Sequence, residues 1–79
     1  MDSKLVYISN ESGDWCGLYV DNELQVQGHS IPYFTWIELI NTFWNFNQAL
    51  YYEVADSYLE DVGDLPKKFS DIPNEEIVG

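Results

Sequence analysis

The stretch that decides the fold is Tyr33-Phe34-Thr35-Trp36-Ile37-Glu38-Leu39-Ile40-Asn41-Thr42-Phe43-Trp44-Asn45-Phe46-Asn47-Gln48-Ala49-Leu50-Tyr51-Tyr52. Eight of its twenty residues are aromatic, and Glu38 is its one charge. Trp36, Leu39, Ile40, Phe43 and Phe46 recur at the three- and four-residue spacing of one helical face. Ile37 and Trp44 widen that face beyond a single seam. A helix apolar over so much of its circumference is covered on more than one side, by a sheet and by something else. The spacing therefore predicts one long helix over 30–48. Ser30 or Thr35 is its expected cap, with Pro32 tolerated in a first turn and Glu38 completing a capping-box spacing from Thr35.

Before this stretch the pattern is that of strands. Leu5-Val6-Tyr7-Ile8 is a branched and aromatic run, stopped by the turn formers Ser9 to Asp14. A second run covers Trp15 to Val20. Asp21-Asn22 then forms a two-residue turn that tolerates positive φ, and Glu23 to Gln27 returns as a third strand. Leu24 and Val26 are expected inward with glutamines outward, which gives a sheet with one buried and one wet face. After the helix, Tyr51, Val54, Ala55, Tyr58 and Val62 keep helical spacing, while Glu53, Asp56 and Glu60 form an acidic stripe joined by Asp61 and Asp64. This segment is expected as helix, with a strand as the alternative reading of Leu50 to Val54. Gly63 and Pro66 stop this segment. The expected fold is α+β. A three-stranded antiparallel meander over 1–28 packs on the main helix, followed by an acidic second helix over 50–63 and a tail over 64–79.

Seventy-nine residues suit a single small domain, whose core rests on 13 aromatic residues. Fourteen Asp and Glu against three Lys give a net charge of −11. Such a charge repels nucleic acid and anionic membranes and draws the chain toward basic partners. At 46% hydrophobic the composition is that of a folded chain rather than a disordered acidic one. One cysteine, Cys16, excludes an internal disulfide and a four-cysteine zinc site. The start shows no signal peptide and no segment is long and apolar enough to span a membrane, so a cytoplasmic protein is expected.

The motifs of catalysis are missing. His29 is the one histidine and has no nucleophile motif beside it. No Gly-rich phosphate loop follows a strand. Asn10, Ser12 and Asp14 alternate like calcium ligands but lack the glycine and closing glutamate of that loop, so a hairpin loop is the reading. No catalytic residue, metal ligand or cofactor is assigned.

Carboxylates near the C-terminal end of a helix oppose its dipole, so local stability does not explain Glu60, Asp61 and Asp64. A line of helical carboxylates resembles the phosphates of a duplex. The expectation is a non-enzymatic inhibitor that mimics nucleic acid and blocks the basic site of a nucleic-acid-binding protein. Its contact residues would be Glu53, Asp56, Glu60, Asp61, Asp64, Tyr19 and Tyr52, with Trp15 and Tyr51 as further aromatic candidates. In size and composition the chain resembles, as a class, the small acidic anti-restriction and anti-CRISPR proteins of phages; no residue role follows from that likeness. The alternative is an assembly subunit that docks its aromatic helix on a host complex or on a second copy, forming a homodimer.

Overall fold

The computed structural model describes residues 3–42 and 46–79. Four strands, β1 (Ser3–Asn10), β2 (Cys16–Val20), β3 (Glu23–Gly28) and β4 (Phe46–Val54), form one mixed sheet in the order β3-β2-β1-β4. Helix α1 (Tyr33–Thr42) precedes β4, and helix α2 (Asp56–Val62) follows it. Two single 3-10 turns, Phe69–Asp71 and Asn74–Glu76, shape the tail.

The fold is α+β, but the sheet is not a three-stranded meander and the main helix is not long. β1 pairs antiparallel with β2, and β2 with β3. β4 then pairs parallel with β1, so the chain crosses the sheet from one edge to the other. Parallel neighbours need a crossover of about a dozen residues or more, and the segment carrying α1 supplies it. The aromatic stretch is therefore divided. Its first half is a helix of ten residues, and from Phe46 onward it is strand. Phe43 and Trp44, expected on the helical face, lie outside the described residues. The helix begins at Tyr33, so neither Ser30 nor Thr35 stands at the position before it. Of the two readings of Leu50 to Val54, the strand is the one formed.

The segment expected as a helix over 50–63 is thus strand to Val54 and helix from Asp56. Aromatic and branched residues favour the pleated surface, and in β4 the neighbouring β1 hides one edge of the backbone. Gly63 at φ 84° ends α2, its N–H returning to the Leu59 carbonyl at 2.8 Å.

Both faces of the sheet are covered. On one side Leu18, Val20 and Leu39 form a core with half-buried Leu5, Tyr7, Val26, Trp36 and Phe46. On the other side α2 and the tail bury Val6, Ile8, Tyr19, Val54, Tyr58, Leu59, Leu65 and Ile72. The expected wet face does not exist, and every residue of β2 is buried.

A bulge explains why alternation misleads in β3. Leu18 opposes Val26, whereas Tyr19 opposes Leu24, so Gln25 is the extra residue. Leu24 joins the α2 side and Val26 the α1 side. Gln27 is not outward either. Its Oε1 accepts from Trp15 Nε1 at 3.0 Å and from the Leu65 N–H at 2.8 Å. The turn between β2 and β3 forms as expected, with φ of 51° at Asp21 and 76° at Asn22.

Candidate functional site

The carboxylates do not form one helical stripe. Glu53 lies on β4, half-buried on the α1 side, where its Oε2 accepts from the Tyr51 hydroxyl at 2.9 Å. Asp56 opens α2 and is tied to the β1–β2 loop: its Oδ1 accepts from the Ser12 N–H at 3.1 Å and from Ser12 Oγ at 3.2 Å. Glu60 and Asp61 are exposed on α2, and Asp64 is exposed just beyond it. The stripe is interrupted because the chain changes from strand to helix between Glu53 and Asp56.

Another gathering takes its place. The β1–β2 loop and α2 enclose an open depression of about 340 Å³, lined by Asn10, Ser12, Asp14, Trp15, Asp56, Leu59, Glu60 and Gly63. Asn10 builds its floor by closing the loop. Its backbone N–H reaches the Trp15 carbonyl at 3.1 Å, and its Oδ1 accepts the Trp15 N–H at 3.1 Å. Gly13, at φ 79°, supplies the left-handed residue that this turn requires. Glu11 also faces α2, its Oε1 accepting the Asp56 N–H at 3.3 Å. Three carboxylate residues, Asp14, Asp56 and Glu60, thus line one depression together with the Trp15 indole, with Glu11 alongside.

The loop's residues that alternate like calcium ligands are used for these internal bonds. Among the described residues no group of three or more His, Cys, Asp or Glu is arranged to hold a metal ion. His29 stands edge-on to Trp15, ring centroids 4.9 Å apart, and its Nδ1–H donates to the Asp14 carbonyl at 3.0 Å. It positions the loop and the indole. Among the described residues the single ion pair joins Lys68 to Glu23 at 3.8 Å, away from this depression.

The aromatic candidates separate by burial. Tyr19 is fully buried and cannot touch a partner; its hydroxyl donates to the Pro66 carbonyl at 2.6 Å. Burial raises its pKa above the usual tyrosine value, with Tyr58 and Asp71 adding to the effect. Expected among the contact residues, Tyr19 instead faces the core beneath α2. Tyr52 is half-buried and stacked on Phe69. Tyr51 is 53% exposed. It stacks on Tyr7, which stacks in turn on Trp36. Desolvation raises the Tyr7 pKa to about 12, helped by Cys16.

A second surface, on α1, is apolar and open. Leu39 is buried and Trp36 half-buried, whereas Tyr33 (79% exposed), Phe34 (59%), Ile37 (54%) and Ile40 (51%) face outward. Tyr33, Ile37 and Ile40 follow the i, i+4, i+7 spacing of one stripe. Of the arc expected on one long helix, Trp36, Ile37, Leu39 and Ile40 lie on α1, where Leu39 is buried, Trp36 half-buried and the two isoleucines open, while Phe46 belongs to β4.

In comparisons with known proteins, no family model, curated protein or solved structure matches the chain. Among the described residues no helix is long and apolar enough to cross a membrane.

Proposed function

We propose that this is a non-enzymatic binding protein that captures a basic protein through the acidic depression beside Trp15. The observation that carries the reading is the convergence of Asp14, Asp56 and Glu60 from two distant chain segments on one indole. Like charges drawn together oppose folding, and no described lysine pairs with them. The arrangement suits a Lys or Arg side chain, whose cation meets carboxylates while its stem lies on the ring. Exposed Glu60, Asp61 and Asp64 extend the negative surface along α2. On a partner that uses a basic surface to hold nucleic acid, such binding is inhibitory by occupation, as a mimic of phosphates. The anti-restriction and anti-CRISPR type of activity belongs to this proposal.

The test is a triple change, Glu60→Gln, Asp61→Asn and Asp64→Asn, which leaves Asp56 to hold the loop. Partner affinity should fall by on the order of tenfold or more at low salt. Unchanged affinity in a folded triple variant would remove the acidic site from the account.

A second reading is favoured by the open stripe on α1. Tyr33, Phe34, Ile37 and Ile40 would seat in an apolar groove rimmed by Lys or Arg, the charge complementary to a chain of −11. Ile37→Lys and Ile40→Lys would then abolish binding, with little dependence on salt.

A further inference from the structure

The two outer strands are covered unequally. The edge of β3 is shielded by the chain's own tail, with the Leu24 N–H on the Lys67 carbonyl at 2.8 Å and an isolated bridge between Glu23 and Lys68. The bulge at Gln25 bends the rest of it. On β4 the tail covers only the C-terminal end. The Val78 N–H donates to the Glu53 carbonyl at 2.8 Å, the Glu53 N–H to the Gly79 carbonyl at 3.1 Å, and the Ala55 N–H to the Glu76 carbonyl at 2.9 Å. Among the described residues nothing pairs with the outer side of Gln48–Tyr52.

The direction of the backbone groups there follows from the tail. Glu53 turns both its N–H and its C=O outward to residues 78–79, while the Val54 carbonyl turns inward to the Glu11 N–H. Register with β1 is regular from Gln48 to Val54, so the alternation continues unbroken. Ala49 and Tyr51 therefore each turn an N–H and a C=O to the outer edge, where no described residue pairs with them, symmetric about Leu50.

Residues 39–52 contain no charge, although the chain carries −11. Exposed edges are ordinarily blunted by charge, proline or a bulge, and the bulge of β4 lies before Gln48. A basic peptide would find one carboxylate there, that of Glu53, already bonded to the Tyr51 hydroxyl at 2.9 Å. A second copy finds an edge identical to its own.

We propose that two copies of this chain pair antiparallel through β4, about a two-fold axis at Leu50. Ala49 of one copy meets Tyr51 of the other, and the reverse, so four backbone hydrogen bonds close and an eight-stranded sheet results. An interface this short belongs to the weak, concentration-dependent class. The pairing strip is neutral while the bodies repel, so salt strengthens the dimer.

Sedimentation equilibrium of the full chain across a concentration series at low and high salt tests this. The dimer dissociation constant should fall by on the order of tenfold between about 50 and about 500 mM salt. Ala49→Pro deletes one outward N–H and should leave a folded monomer, checked by circular dichroism; if it does not fold, exposed Ala49→Asp, which adds an anion to the edge of an already acidic body, takes its place. Ile37→Lys should leave the dimer intact. A monomer at every concentration and salt overturns the proposal, as does a dimer that survives the Ala49 changes or is abolished by Ile37→Lys.

Discussion

Tyr19 sits at the centre of the core beneath α2 and donates to a carbonyl that also marks where the tail turns back along β3. Tyr19→Phe leaves the Pro66 carbonyl without that donor, and should cost about 1–2 kcal/mol in denaturant unfolding with the fold retained. Gly17 is tighter still: a Cβ there would lie 2.5 Å from Leu65 Cδ1 and 3.3 Å from the Val26 carbonyl oxygen. Gly17→Ala should therefore cost about 1–3 kcal/mol by overpacking. Tyr7, Tyr19 and Tyr58 share a direction, their pKa values raised by desolvation. A raised pKa favours the neutral form in the fold, so this stability is fully present below the ordinary tyrosine value of 10.0 and is lost as pH rises through the folded values. Unfolding free energy measured against pH should fall on the alkaline side, and a flat profile from pH ~9 to ~12 would contradict that sign. None of these roles is legible at the residue level, because a tyrosine that alternates with Leu18 and Val20 looks outward until both sheet faces are known to be covered.

At the scale of elements, Asp21-Asn22 illustrates what local chemistry can specify. The turn is legible because few residue pairs tolerate two successive positive φ angles. Its second task is not: Asn22 Oδ1 accepts the Ser70 N–H at 2.8 Å and its Nδ2 donates to Ser70 Oγ at 3.1 Å, pinning the tail. Asn22→Ala should lose about 1–2 kcal/mol from strained φ and missing bonds, with faster amide exchange around Ser70 than in β1. The three first strands were readable from branched runs and turn clusters. The division of the aromatic stretch was not, because Phe46 lies ten residues beyond Trp36 on the helical period yet packs in the same core from a strand. Periodicity identifies a buried face; it does not say which element carries it when two successive elements address the same core. The bulge at Gln25 is equally silent in the sequence, since Leu24 and Val26 satisfy perfect alternation.

Over the whole molecule the dominant fact is a charge of −11 with one ion pair among the described residues. Self-repulsion opposes the folded state, so Tm should rise as salt screens it, without a change of fold. The acidity was legible from composition, and so was its pull toward basic partners. The place where it converges was not, because the pairing of β1 with β4 that brings Asp14 and Asp56 together, and the Ser12 and Glu11 bonds to Asp56 that accompany it, are long-range contacts with no local signature. The most direct test of capture through that site is a tagged pull-down from native lysate, eluted by a salt gradient and then by DNA, with the wild type beside the Glu60, Asp61, Asp64 triple variant. Capture through this site should yield a basic nucleic-acid-binding protein that salt and DNA both displace and that the triple variant fails to retain. A partner held equally by both proteins, and still bound at high salt, would contradict it.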